Sequence, residues 1–580
     1  MPCTDALSRW PFLPRSILLA TALSFGMSFG ASKTTPADAV EPTPKPITLT
    51  DVTRATGIDF VHTDGSSGQR YIVETVSAGL ATFDYDNDGL TDILFLSSGL
   101  LKGANPTNPG TCALFKNLGN MKFRNVTKSA GLDIPCYALG VAIADYDNDG
   151  NEDIYINTFG RNLLFHNNGN GTFSDVTAKA GVQDDPHVGA GTCFFDIDGD
   201  GWLDLFVGHY VDFTYEKHHT VRFNGYPAYV GPLNYSTTAS KLYRNRGDGT
   251  FEDVTDSSGI GAHKGAAMGV VSTDVDGDGD MDLFVANDEC GNFLYLNDGH
   301  GHFKESGLAS GVAYDFDGQP HGSMGVECAD FDNDGLLDFF VTSFQRESPI
   351  LYLNRGKAMF EDVTTRSGPI AGNRSLVTWG CGLVDLDNDG NRDIFIAAGH
   401  LHDNVEQFDT STSYFQRNRL LRNIGKGKFV DVTTRSGDGL NANYSSRGAV
   451  FDDLDNDGAI DVVILNARRE PTILRNESKT GNHWLQLRLH GAKLNRDAIG
   501  ARVTVTAGGT RFVDEVHSGR SYQSHFGSRL QFGLGTMDHV DQVEIKWPEG
   551  AVEVLKNLPV DRFFNITQGT GKAEPTTASH

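Results

Sequence analysis

One pattern governs what this 580-residue chain can fold into: D-x-D-x-D-G-x-x-D, seven times over. The copies are "DYDNDGLTD" from Asp84, "DYDNDGNED" from Asp145, "DIDGDGWLD" from Asp196 and "DVDGDGDMD" from Asp274. Three more follow: "DFDNDGLLD" from Asp330, "DLDNDGNRD" from Asp385 and "DLDNDGAID" from Asp453. A glycine stands five residues before each first Asp: Gly79, Gly140, Gly191, Gly269, Gly325, Gly380 and Gly448. After each last Asp comes a short apolar run, mostly β-branched or aromatic, such as "ILFL", "LFV" and "VVIL". Each copy therefore reads as strand, acidic turn, strand.

Two further signatures recur inside the same units. One is close to L-Y-R-N: "LFKN", "LFHN", "LYRN", "LYLN" twice, "LLRN" and "ILRN". The other is close to F-x-D-V-T, as in "FSDVT" and "FEDVT". Gly/Asn turns such as "NGNGTF" separate them, which is hairpin chemistry. Four strands per unit of roughly fifty to eighty residues match a propeller blade. No F-x-D-V-T follows the last "ILRN", while "LTDVT" stands alone ahead of the first acidic cluster. The start of the mature chain is thus expected to supply the missing outer strand. The expected fold is all-β: a seven-bladed β-propeller closed without an exposed seam, followed by a small C-terminal β-domain.

In each acidic turn, positions 1, 3, 5 and 9 offer carboxylates, position 7 offers a carbonyl, and Gly at position 6 permits the bend. The candidate metal ligands are Asp84, Asp86, Asp88 and Asp92; Asp145, Asp147, Asp149 and Asp153; Asp196, Asp198, Asp200 and Asp204; and Asp274, Asp276, Asp278 and Asp282. They continue with Asp330, Asp332, Asp334 and Asp338; Asp385, Asp387, Asp389 and Asp393; and Asp453, Asp455, Asp457 and Asp461. Such oxygen ligands suit Ca²⁺, which takes six to eight oxygens in flexible geometry, better than Mg²⁺, which demands an octahedron. Zinc wants His or Cys. An EF-hand needs a Glu at position 12, where the first copy has Phe95 within an apolar strand. A metal-free turn would not require four carboxylates at fixed offsets in every copy. Calcium is expected at up to seven sites, as a structural ligand. The formal net charge of −27 opposes nucleic-acid binding.

Residues 1–39 read as an export signal. Arg9 and Arg15 precede an apolar stretch from Ile17 to Ala31, and an A-x-A option lies at Ala37–Ala39. The stretch is short for a membrane span, so the expected product is secreted, periplasmic or at the cell surface. It should carry no stable span after cleavage and be a monomer. Residues 40–46 read as a linker and 47–480 as the propeller. Cys193, Cys328 and Cys381 fall in equivalent strands and read as buried free thiols, while Cys112 and Cys136 are candidates for pairing.

From 481 to 568, "WLQLRLHG", "ARVTVTAG", "RLQFGLG" and "VDQVEIKWP" alternate with period two, which indicates the small β-domain. Residues 569–580 read as a flexible tail. Tandem D-x-D-x-D-G turns with L-Y-R-N and F-x-D-V-T resemble the FG-GAP/VCBS repeats of integrin α-type propellers, without the literal Phe-Gly…Gly-Ala-Pro motif. "GARVTVTAGG", "HSGRSYQSHFGSRLQFGLG" and "VDQVEIKWPEG" look like the ASPIC/UnbV domain. Together they resemble the cartilage acidic protein family. That resemblance covers nearly the whole mature chain and implies a secreted, calcium-binding, non-catalytic protein.

Two insertions are candidates for a ligand surface. The first, in the third unit, carries Tyr210, Tyr215, His218, His219, Tyr226 and Tyr229, which could stack on sugars or contact a protein. The second starts at Gly399, where His400, His402 and Asp403 form a weak transition-metal signal. Glu327, His321 and Arg447 would line the channel mouth, a usual ligand site, which makes Arg447 a further candidate for the ligand surface. Arg520, Ser521 and His525 read as turn and surface groups of the C-terminal domain. The leading function is an extracellular module that binds a protein or glycan. The alternative is a calcium-dependent, lyase-like carbohydrate enzyme, which would need a base and an Arg or metal. Whether the chain is an enzyme stays open on sequence, with the non-catalytic reading ahead: G-x-S-x-G, P-loop and dinucleotide fingerprints are absent.

Overall fold

The computed structural model describes residues 46–77, 79–104, 110–184 and 186–576. The expected export signal and nearly all of the expected linker lie outside them. The described chain is all-β, antiparallel except for one strand pair of the C-terminal domain, with helical segments of at most five residues. Up to Asn476, strand pairing produces seven four-stranded meanders. The second and third are joined by a short extension, His187 and Val188 pairing with Gly160 and Phe159.

The first strand of each meander is Leu80–Phe83, Ala138–Ala144, His187–Phe195, Ala267–Thr273, Val326–Ala329, Thr378–Val384 and Ser446–Asp452. Each touches the next, and the last returns to the first, so the architecture is β-propeller-like. These strands crowd around a narrow axis. A Cβ on Gly140 would lie 2.1 Å from the carbonyl oxygen of Ala190, and one on Gly325 would lie 2.2 Å from that of Trp379. Both clashes are with the next meander's first strand, so the regularly spaced glycines mark where backbones meet.

The chain start completes the last meander. Leu49–Asp51 pairs with Thr472–Asn476, with Leu49 opposite Asn476. That is the register in which Phe173 faces Asn167. The threonine of F-x-D-V-T makes the same bond in successive meanders. Thr177 Oγ1 accepts the Leu164 N–H at 2.8 Å, and Thr255 Oγ1 accepts that of Leu242 at 3.1 Å. Thr53 does the same for Ile473 at 2.9 Å.

The asparagine ending each L-Y-R-N fastens neighbouring meanders together. Asn354 Nδ2 donates to the Leu337 carbonyl at 3.0 Å in its own turn and to the Val275 carbonyl at 2.9 Å in the preceding meander. Equivalent bridges start from Asn167, Asn245, Asn297, Asn423 and Asn476. Asn117 reaches the Leu454 carbonyl at 2.8 Å and so links first to last.

The C-terminal domain has two four-stranded sheets. His483–His490 runs parallel to Arg562–Thr567, and a core that includes Leu485, Leu487, Val503, Val543 and Trp547 fills the space between the sheets. Glu574–Pro575 pairs with Arg562–Thr567, so part of the expected tail belongs to the sheet. The segment between Thr510–Glu515 and Arg529–Gly535 leaves the domain and enters the ring's axis. Ser518 Oγ accepts the Phe194 N–H at 3.0 Å and Ser521 Oγ accepts that of Cys381 at 2.9 Å. The Ser521 and His525 carbonyls accept the N–H groups of Val326 and Thr82 at 2.9 and 3.0 Å. Arg520, Ser521 and His525 are therefore buried rather than surface groups. Ser518, Ser521 and His525 satisfy first-strand backbone donors that the narrow axis would otherwise strand without partners.

Candidate metal centres and the channel mouth

Each acidic turn is organised by its own carboxylates. In the fifth copy, Asp330 accepts the N–H of Asp334 at 3.1 Å and of Gly335 at 2.8 Å, while Asp334 accepts that of Leu336 at 2.9 Å. Gly335 sits at φ +93°, which a side chain would resist. Asp338 takes the Phe331 N–H at 3.2 Å on one oxygen and the Asn354 N–H at 2.7 Å on the other. The ninth-position Asp of every copy repeats that double acceptance, as Asp92 does for Tyr85 and Asn117.

The third position differs. Asp86, Asp147, Asp198, Asp387 and Asp455 each hold a buried Oδ1 with no hydrogen-bond partner. In the first three copies, oxygens of three carboxylates lie within 4.8 Å of one another: Asp84, Asp86 and Asp92; Asp145, Asp147 and Asp149; and Asp196, Asp198 and Asp204. Burial raises the ninth-position carboxyl in all seven turns, to about 7 for Asp153 and well above the usual carboxylate range for Asp92, Asp204, Asp282, Asp338, Asp393 and Asp461. Burial likewise lifts Asp145 to about 8 and Asp330 to about 7. Clustered, desolvated carboxylates with unsatisfied oxygens match the needs of a hard cation that accepts six or more oxygens. The residues present fit Ca²⁺.

The opposite mouth is covered. Tyr210, Tyr229, His400, His402 and Arg447 are all buried, so the expectation that they present a ligand surface is corrected. The two insertions pack on each other. Asn224 Nδ2 donates to the Phe408 carbonyl at 3.2 Å, and Asn404 Nδ2 donates to the Pro227 carbonyl at 2.9 Å. Beneath them, the Tyr229 hydroxyl donates to Glu74 at 2.9 Å and accepts from Arg468 at 3.2 Å. Tyr210 donates to Asp288 at 2.7 Å. The Arg447 guanidinium lies 4.2 Å over the Trp379 ring and donates to Ser445 and Ser446.

The transition-metal signal also dissolves. His402 Nδ1 accepts the Tyr229 N–H at 3.3 Å, and His400 Nδ1 accepts the His402 N–H at 3.0 Å. Asp403 is held by Arg70 at 2.8 Å and Arg468 at 3.0 Å. Of the remaining surface candidates, Tyr215 and His218 are half-buried and His219 is exposed. Tyr226 is 43% exposed beside Phe223, also at 43%, in a small hairpin. Nearer the plug, Glu327 receives a bidentate pair from Arg520 at 3.1 and 2.8 Å, rather than channel water. His321 meets Asp315 at 3.0 Å. Cys193, Cys328 and Cys381 are buried and free, and Cys112 and Cys136 are free with their sulfurs 3.9 Å apart.

Sequence reading placed the acidic turns but missed the bridging asparagines and the plug. The invariant final Asn of the L-Y-R-N runs was the available signal for the first. For the second it was the polar, small-residue run "HSGRSYQS" inside an alternating β pattern.

A closed array of four-stranded β-meanders with acidic turns, plugged by a second β-domain, defines a β-propeller-like repeat protein. Residues 84–156, 145–207, 228–285, 274–341, 330–396 and 385–464 match the FG-GAP-like repeat, and residues 491–573 match the ASPIC and UnbV domain. The chain belongs to the FG-GAP repeat family, with a C-terminal ASPIC/UnbV domain. It is homologous to cartilage acidic protein 1 of Xenopus tropicalis, with 26% identity over 511 residues spanning 82% of this chain and 70% of the relative. The Mus musculus protein is 27% identical over 507 residues, 81% of this chain and 70% of its own. Among solved structures, an Agrocybe aegerita lectin is 18% identical over 63% of this chain and 82% of its own, with a TM-score of 0.37. Among the described residues no helix is long and apolar enough to cross a membrane.

Proposed function

We propose that the protein is an exported, calcium-stabilised, non-catalytic binding module on a seven-bladed propeller. Calcium occupies the acidic turns, and an extracellular protein or glycan docks on the outer face of the insertions. The observation that carries this reading is the closure of the axis at both ends. The C-terminal segment fills one end and the interlocked insertions cover the other. Several ionisable groups there are spent on one another: Glu327 on Arg520, Asp403 on Arg70 and Arg468, Tyr229 on Glu74; His218 is half-buried with neither ring nitrogen hydrogen-bonded. A catalytic base has to reach a substrate proton, and Glu327, Glu74 and Tyr229 are buried in protein. The surface offered to a partner on this face is the hairpin tip with Phe223 and Tyr226, where aromatic faces meet solvent.

The test is a glycan and protein array probed with and without calcium, followed by mass analysis of the bound ligands. Retention that depends on calcium, weakens in Tyr226→Ala and leaves the ligand intact is the expected result. Release of an unsaturated or shortened glycan would replace this proposal with the lyase reading.

A further inference from the structure

The third residue of the L-Y-R-N signature is not uniform. It is Lys116, His166, Arg244, Arg422 or Arg475 in five meanders, and Leu296 or Leu353 in the fourth and fifth. Side chains at this register stand over the acidic turn of their own meander. All five basic ones end on carboxylates there. Arg244 is 2.5 Å from Asp198 and 3.3 Å from Asp200, and Arg475 is 2.7 Å from Asp455 and 3.4 Å from Asp457. His166 Nδ1 is 3.1 Å from Asp147. Lys116 pairs with Asp86 and Asp88, and Arg422 with Asp387 and Asp389.

The two leucine turns have no such partner. Among the described residues, no ion pair reaches the third or fifth position of either one. Cations of the C-terminal domain approach these turns and stop short of positions 3 and 5: Lys546 lies 3.7 Å from Asp274 at position 1, and Arg502 donates to the Gly335 carbonyl at 2.7 Å. The fourth turn also carries an extra carboxylate, Asp280, at position 7.

We propose that the calcium sites fall into two classes, resting on the calcium reading of the turns given above. The turns Asp274–Asp282 and Asp330–Asp338 fill first and bind tightest. The other five hold a basic side chain that draws on the same carboxylates: an Arg or Lys charge that repels an incoming divalent ion in four, and the His166 ring in the second. Calcium affinity in oxygen-ligand loops follows the charge the ligands present, and a unit charge a few ångströms away is not screened by bulk water. The expected gap between the classes is about tenfold or more. The five turns with their own basic residue carry less unrelieved carboxylate repulsion without metal, so in fully stripped protein the fourth and fifth meanders are the most loosened.

Calcium titration of the chelator-stripped full-length protein, by calorimetry and by equilibrium dialysis, tests this directly. The expected result is two tight ions per chain followed by a weaker set. Arg244→Leu, on a half-exposed side chain, should raise the tight count to three, and Leu296→Arg should lower it to one. Should Leu296→Arg fail to fold, Arg244→Leu alone decides. A single uniform class, or a tight count unchanged in these variants, overturns the inference while leaving calcium binding in place. Failure of the turns to bind calcium at all overturns both.

Discussion

Replacing Asn354 by Ala tests whether the asparagine bridges hold the ring together. The side chain donates to two buried carbonyls, Val275 at 2.9 Å and Leu337 at 3.0 Å, and accepts the Gly356 N–H at 2.8 Å. The Gly356 donor sits in a partly open turn, where water can replace the lost acceptor. The two carbonyls lie between packed meanders, where water cannot. A buried polar group left without a partner costs about 1–3 kcal/mol, so the variant should lose about 4 kcal/mol. Unfolding entropy near 2.1 cal/mol/K per residue over roughly 530 ordered residues converts that to a fall of about 4 °C in Tm. Differential scanning calorimetry in saturating calcium reads this shift. Asn168→Ala, which removes an exposed turn contact to Thr172, is the control and should stay within about 0.5 °C. An Asn354→Ala shift below about 1 °C would show that the inter-meander bridge is dispensable and that packing alone fastens the ring.

Three other outcomes follow from the geometry. Glu327→Ala strands Arg520 in the buried axis and should cost about 3–5 kcal/mol, whereas Glu327→Met with Arg520→Met should recover most of it; equal losses in single and double variants would contradict a paired plug. The pH response should change sign with calcium. In chelator, Asp153 and Asp330 have folded pKa values near 7, above their unfolded values, so the folded state holds more protons and stability falls as pH rises from about 4 through 7. With calcium saturating, the same carboxylates must be ionised to bind, so Tm should instead rise between pH 6 and 8; equal slopes with and without metal would contradict the assignment. Burial pushes the thiols of Cys193, Cys328 and Cys381 up, so they should resist a thiol reagent at pH 8 until the chain unfolds, a result read by counting labelled cysteines before and after denaturation.

Local features were legible in the sequence because they are written in one strand–turn–strand unit. The acidic offsets, the regular glycines and the displaced "LTDVT" at the chain start all lead to the observed meanders and to Leu49–Asp51 on Thr472–Asn476. The Asn of L-Y-R-N was visible as a strand-end signature, but its partner carbonyl lies one meander away, so its bridging role needs the assembled ring. The plug was unreadable for a related reason. Arg520, Ser521 and His525 look like turn chemistry until the first-strand N–H groups that need acceptors are placed around them. The Tyr/His insertion misled because aromatic composition does not distinguish a sugar platform from a lid. Tyr229 and His402 turn inward onto Arg468 and each other, while Tyr226 and Phe223, with Phe415 in the second insertion, keep a large exposed face.

Whether calcium in the acidic turns holds the ring is read most plainly from the thermal midpoint of the full-length protein before and after exhaustive chelation, with bound calcium counted by atomic emission. Each site held at 100 times its dissociation constant adds about 2.7 kcal/mol, so two tight sites alone should be worth about 5 °C in Tm. At least two calcium ions retained per chain, and a chelator-induced drop of that size reversed by adding calcium back, are the expected results. Metal-free protein with an unchanged midpoint would contradict calcium as the fastening of the ring.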